Sequence, residues 1–117
     1  MAHHTETGKK GEALARVYLE QNGFIILHCN WRYSHYEIDI IASKNNTLHF
    51  IEVKTRRTTT YGYPEESVSG TKRKSLLKGA EEFLYQNPGW TRIQHNILSI
   101  SLIRNSPPEY FFIEDIM

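Results

Sequence analysis

Two apolar runs, Tyr36 to Ser43 and Thr47 to Thr55, flank the pair Asn45-Asn46, and this arrangement constrains the fold more than any other stretch of the chain. Both runs are rich in β-formers, and asparagine tolerates positive φ better than other non-glycine residues. The Asn pair therefore reads as the two-residue loop of a hairpin. If those two residues form the loop, Lys44 pairs with Thr47. Counting back from there puts Asp39 opposite Glu52 and Glu37 opposite Lys54. Residues directly opposed in an antiparallel pair share a face. Period-two alternation then puts Glu37 with Asp39, and Glu52 with Lys54, on that same face.

Acids in such surroundings are unusual. Asp39 lies among Ile38, Ile40 and Ile41, and Glu52 lies between Ile51 and Val53. Strands this apolar are buried on one face and often on both. Two opposed carboxylates, with Cβ atoms about 5 Å apart, repel each other unless one is protonated or a cation sits between them. A hard divalent cation with oxygen ligands, Mg²⁺ or Mn²⁺, suits that position. Lys54 adds a point charge that can hold a phosphate or orient a water. Together they suit phosphodiester hydrolysis, whose transition state concentrates negative charge on phosphate oxygens. A plainer reading stands beside this one: Glu37 and Lys54 form a cross-strand ion pair, and Asp39 and Glu52 edge a solvated face.

The remaining segments give the fold class. Gly8 to Asn22 carries an apolar stripe and ends at Asn22-Gly23, so a helix is expected. Phe24 to Cys29 has the length of a strand. Arg56 to Ser67 reads as a loop broken by Gly62 and Pro64. A second helix is expected from Ser69 or Thr71 to Gln86, stopped by Asn87-Pro88-Gly89. Ile93 to Ile103 reads as a strand and Tyr110 to Ile116 as a short final strand or arm. This order, αβββαβ with an extra C-terminal strand, suits an α/β fold with a mixed central sheet flanked by helices. With 117 residues the whole chain, 1–117, is expected to form one domain, residues 1–7 being a flexible start.

Composition narrows the function classes. Hydrophobic residues at 39% and charged residues at 23% exclude wholesale disorder. No apolar run approaches the ~20 residues of a membrane span, and the polar start is not a secretory signal. A single cysteine, Cys29, cannot make an internal disulfide, so a reducing cytoplasm is expected. Net charge is only +1, but its distribution is uneven. Lys54, Arg56, Arg57, Lys72, Arg73, Lys74 and Lys78 face only Glu65 and Glu66 between positions 54 and 78, whereas Glu109 to Met117 is acidic. Such a stretch binds phosphate locally, or is simply a solvated charged face. The histidines lack zinc-ligand spacing, and no nucleophile elbow or phosphate-binding glycine loop is present.

Glu37-Ile-Asp-Ile-Ile-Ala42 followed by Phe50-Ile-Glu-Val-Lys-Thr-Arg56 resembles the PD-(D/E)xK nuclease superfamily, the fold of type II restriction enzymes and archaeal Holliday-junction resolvases. Within it the chain is similar to the YraN-like bacterial family. The likeness includes Gly11-Glu12-x-Ala, Asn30-x-Arg32, Gly62-x-Pro64-x-Glu66-x-x-Val68, Lys72-Arg73-Lys74 and Ile113-Glu114-Asp115. It implies a restriction-endonuclease-like core in which Asp39 and Glu52 ligate metal, with the Val53 carbonyl as a third ligand. Lys54 would be the catalytic lysine, Glu12 an assisting helix acid and Glu37 a supporting acid. Arg56, Arg57, Lys72, Arg73 and Lys74 would meet nucleic acid, DNA rather than RNA, with a homodimer or a partner protein completing the assembly. A non-catalytic binding domain that keeps the fold is the alternative. Two departures stand out: Tyr36 where the family usually has glycine, and His95-Asn96 where it commonly has Phe-Asp. The first narrows the approach of nucleic acid or offers a stacking surface; the second removes an acid near the site.

Overall fold

A computed structural model describes residues 6–58 and 70–116, without the side chains of residues 70–73. The elements run α1 (Glu6–Gln21), β1 (Ile25–Tyr33), β2 (Tyr36–Lys44), β3 (Thr47–Thr58), α2 (Gly70–Gln86), β4 (Ile93–Ile103) and β5 (Glu109–Ile113). The five strands form one sheet in the order β1-β2-β3-β4-β5. Only β3 and β4 are parallel; the other neighbours are antiparallel. The expected element order is therefore present, with the final arm realised as β5.

Both helix stops act as the sequence predicts. At the end of α1, Gly23 takes φ 89° and the Asn22 and Phe24 amides return to helix carbonyls. At the end of α2, Gly89 takes φ 119° and Asn87 donates from both backbone and side chain to the Phe83 carbonyl. The differences lie at the other ends. Helix α1 begins at Glu6, and the Arg57 Nε donates to Thr7 Oγ1 at 2.8 Å and ties that first turn to the sheet. Strand β1 continues to Tyr33 and β3 to Thr58, because each finds a full-length neighbour to pair with. The predicted loop loses Arg56, Arg57 and Thr58 to β3; the rest of it, with the motif from Gly62 to Val68, lies outside the described residues.

The sheet separates two apolar layers. On one face α1 lays Ala15 and Leu19 against Phe24, Ile40, Ala42, Ile51, Leu98, Ile100 and Leu102. On the other, α2 lays Ala80 and Phe83 against Ile38, Ile41, Leu48 and Phe50. Strands β3 and β4 are covered on both faces, hence their nearly continuous apolar sequence. Close approach of α1 to β3 depends on Gly11. A Cβ there would lie 2.7 Å from Thr55 Cβ and overlap its hydroxyl, so any larger residue pushes the helix off the sheet. The next residue is Glu12, so the same contact fixes how that acid hangs over the sheet.

Candidate active site

The Asn45-Asn46 loop sets the geometry. Both residues take positive φ, 52° and 61°, as a two-residue turn matched to strand twist requires. The register follows the count from the sequence over five consecutive pairs, from Lys44–Thr47 to Ile40–Ile51. There the ladder ends, one pair short of Asp39 and Glu52. Instead of facing Glu52 across a regular ladder, Asp39 turns its carboxylate to the backbone of β3 and Oδ2 accepts the Val53 N–H at 2.9 Å. The expected regular opposition of Asp39 with Glu52 and of Glu37 with Lys54 is thus replaced by a seam. A side-chain acceptor substitutes for the backbone carbonyl that would otherwise pair with Val53. Val53 lies between Glu52 and Lys54, so the bond brings the Asp39 carboxylate to the Glu-x-Lys segment. Glu52 is 5% exposed, while Asp39 and Lys54 are half-buried.

Strands β1 and β2 shift register between Ile26 and His28 and then pair in one register from His28–Ile41 to Tyr33–Tyr36, yet β2 changes the faces it presents beside Asp39. Ile40 packs in the α1-side layer and Ile38 in the α2-side layer, although strict alternation would keep the two together. The β1 residues opposite them are Cys29 and Trp31, which brackets Asn30 beside Asp39. Asn30 has φ 54°, a left-handed conformation in the middle of a strand. A cavity of about 240 Å³ opens here, walled by Lys9, Glu12, Ala13, Arg16, Cys29, Asn30, Asp39 and Ile40. Glu12 and Asp39, 27 positions apart in the chain, therefore share one space, in which Asn30 Nδ2 donates to Glu12 Oε1 at 3.4 Å. Glu52 and Lys54 lie outside that wall and approach Asp39 along β3. Among the described residues, no three His, Cys, Asp or Glu side chains gather closely enough to hold a metal by themselves. The expected ligand set differs in kind: two carboxylates and a backbone carbonyl.

The basic residues divide. Arg56 is half-buried and its Nε donates to Ser101 Oγ at 3.4 Å. Arg57 is exposed at the rim of a groove of about 570 Å³, walled by Lys10, Arg57, Thr58, Arg104, Asn105 and Ser106 among others. Its described walls carry three cations and no acid. Lys10 and Arg104 escape a sequence reading because they come from opposite ends of the chain. Lys74 is exposed on α2; the side chains of Lys72 and Arg73 lie outside the described residues.

The two departures have physical accounts. Tyr36 packs its Cβ beside Gly79 of α2 and sets its ring 4.1 Å from that of His35. Asn96, 1% exposed, keeps the acceptor an aspartate would provide: its Oδ1 takes the Asp115 N–H at 2.9 Å. Its amide nitrogen adds a donor, received by His49 Nδ1 at 2.9 Å. An aspartate could not donate to that nitrogen, so His49 and Asn96 act as a pair. Burial lowers the pKa of His49, which favours the neutral imidazole this hydrogen bond needs, and it lowers that of His95 as well.

The model of the uncharacterised protein family UPF0102 matches residues 11–104, from Gly11 at the α1 contact to Arg104 in the basic groove. The chain belongs to this family. UPF0102 proteins from Bacteroides thetaiotaomicron and Chloroherpeton thalassium are 46% and 40% identical to it. The first match covers 72% of this chain and 69% of the relative, the second 92% and 90%. A UPF0102 protein from Caldicellulosiruptor saccharolyticus is 36% identical, with 86% and 96% covered. Among solved structures, the chain is similar to Archaeoglobus fulgidus Hjc, a Holliday junction resolvase. The TM-score is 0.50 at 20% identity, covering 89% of this chain and 75% of that one. The fold is therefore restriction-endonuclease-like. No helix among the described residues is long and apolar enough to cross a membrane.

Proposed function

We propose that this UPF0102 protein is a Mg²⁺- or Mn²⁺-dependent nuclease that hydrolyses phosphodiester bonds in branched or structured DNA. The observation that carries the reading is the seam at Asp39. Its carboxylate is fixed on the Val53 amide, between a buried glutamate and a lysine, where the β2–β3 ladder has stopped. Likeness of fold to a resolvase supports the same reaction class.

The donors present fit a hard divalent cation. Asp39 and Glu52 offer carboxylate oxygens and the carbonyl of Val53, whose N–H already holds Asp39, a neutral one. A bound Mg²⁺ or Mn²⁺ supplies positive charge to phosphate oxygens and lowers the pKa of a water. The residues of the chain do the rest. Lys54 holds a non-bridging phosphate oxygen and stabilises its charge as the P–O bond lengthens. Glu12 takes a proton from the attacking water, and Glu37 supports the site from the adjacent β2 position. The phosphate backbone runs past Arg56 into the groove of Lys10, Arg57 and Arg104, with Lys72, Arg73 and Lys74 as further contacts. Arg57 lies three residues beyond Lys54, about 10 Å along the strand, the rise of about three nucleotides of one duplex strand. The whole chain would act as one domain, as a homodimer or with a partner protein, in the cytoplasm.

The test is cleavage of labelled four-way, flap and linear duplex DNA with Mg²⁺ or Mn²⁺, comparing the wild type with Lys54→Ala. Cleavage of a branched substrate, lost in the variant, supports the reading. Binding of branched DNA without any cleavage would instead favour a non-catalytic binding domain that keeps the nuclease fold.

A further inference from the structure

We infer that Asn30 is a positioning residue of the proposed centre, and that it holds a water molecule between Glu12 and Asp39. This rests on the reading of that centre given above. Three independent features of Asn30 converge. Its backbone takes φ 54° in the middle of β1, a conformation that side-chain-bearing residues rarely adopt and that a strand does not require. Its Nδ2 is directed to Glu12 Oε1 at 3.4 Å. Its Oδ1 is buried yet has no hydrogen-bond partner.

The orientation of the amide is settled by chemistry. An ionised carboxylate only accepts, so the nitrogen must face Glu12 and the oxygen must face away from it. Buried amide oxygens are nearly always paired with protein or with ordered water, and an orphan of this kind marks a place for a donor. The Val53 N–H is already given to Asp39, and the charged donors of the cavity wall, Lys9 and Arg16, make no hydrogen bond to Asn30 Oδ1. The cavity that Asn30 lines has about 240 Å³, several times the ~30 Å³ a water occupies, and its acceptors are Asn30 Oδ1, Glu12 and Asp39. A water placed among them gives one hydrogen to Asn30 Oδ1 and the other to a carboxylate. Its lone pairs are then left to point away from all three, toward whatever electrophile occupies the seam. The strained backbone is what brings the Asn30 side chain to the level of Asp39 on the α1 side of the sheet.

Glycine at this position separates the roles. It adopts φ 54° without strain, so Asn30→Gly removes the carboxamide while relieving the backbone. The experiment combines a high-resolution crystal structure of the full wild-type chain, thermal unfolding of the wild type and Asn30→Gly, and their kcat and KM on a branched DNA substrate. The wild-type crystal is expected to show an ordered water about 2.8 Å from Asn30 Oδ1 and in contact with Glu12 or Asp39. Asn30→Gly is expected to unfold at the same or a higher temperature, with kcat down at least tenfold and KM unchanged. An Asn30 Oδ1 without a water in the wild-type crystal overturns the inference, as does a stable Asn30→Gly with undiminished kcat. Should the wild type prove unable to cleave DNA, the reading of the centre fails by itself. The crystal still decides whether Asn30 holds the water.

Discussion

The two ends of the β2–β3 hairpin obey different rules. At the loop end, from Lys44–Thr47 to Ile40–Ile51, every pair is in register and the flanking side chains alternate between the two apolar layers. At the open end the ladder has stopped, a carboxylate bonds to backbone, and β1 and β2 change the face they present at Asn30 and Asp39. Regular pairing leaves no backbone group or acid available for chemistry. Interrupting it brings the Asp39 carboxylate to the Glu52-Val53-Lys54 segment, with Glu12 in the cavity beside Asp39. The loop end thus serves stability, and the open end, under the proposed function, serves the site.

Substitutions at the open end should damage function first. Lys54→Ala is expected to lower the DNA cleavage rate about a hundred- to a thousandfold, with little change in unfolding temperature, because a charge-stabilising donor is lost while the fold keeps its core. Equal losses of rate and stability would mean that Lys54 is structural.

Gly11→Ala should strike both properties, since a methyl group there meets Thr55 and displaces α1 with Glu12. A cost of about 1–3 kcal/mol in denaturant unfolding is expected. Asp39 discriminates more finely. Asp39→Ala leaves the Val53 N–H without its acceptor and should cost about 1–3 kcal/mol. Asp39→Asn keeps an acceptor, so it should preserve stability, or raise it by relieving repulsion, while cation binding is lost. If both variants lose the same stability, the Val53 bond is not what holds the seam.

The loop end should respond in the opposite way. Asn46→Gly suits φ 61° and should stabilise the protein by a few tenths to about 1 kcal/mol without altering cleavage. The smallest expected effect is that of pH on the buried histidines. Burial holds His49 and His95 below the ordinary 6.5, so the folded state resists protonation more than the unfolded chain. Their contribution is complete above that value and is lost as pH falls from about 6.5 toward the lowered pKa values. Unfolding followed from pH 8 to 5 should show the decline, and His49→Leu should make it shallower.

Much of the loop end was legible because its signals are local. Asn45-Asn46 declares positive φ, Asn22-Gly23 and Asn87-Pro88-Gly89 end helices, and alternating apolar residues reveal strands. The Asp39, Glu52 and Lys54 set is proposed from acids among isoleucines and from the family likeness, and the fold brings Asp39 onto the Val53 amide between the other two. The seam was not legible. Counting along a hairpin assumes that the ladder continues, whereas the Asp39–Val53 bond ends it. Asn30 stood out only as part of a motif, because nothing in its neighbours' sequence announces a left-handed residue in mid-strand. Lys10 and Arg104 join Arg57 only through tertiary structure. The change to Asn96 looked like the loss of an acid; the fold shows that the acceptor for Asp115 is retained and a donor for His49 is gained.

Whether the open end is a metal centre is tested most directly by titrating Mn²⁺ into the purified protein by calorimetry, alongside the Asp39→Asn, Glu52→Gln double variant. Saturable binding to the wild type, lost in a double variant that still folds, is the predicted result. No binding even with a branched oligonucleotide present, or binding that survives both substitutions, would contradict it.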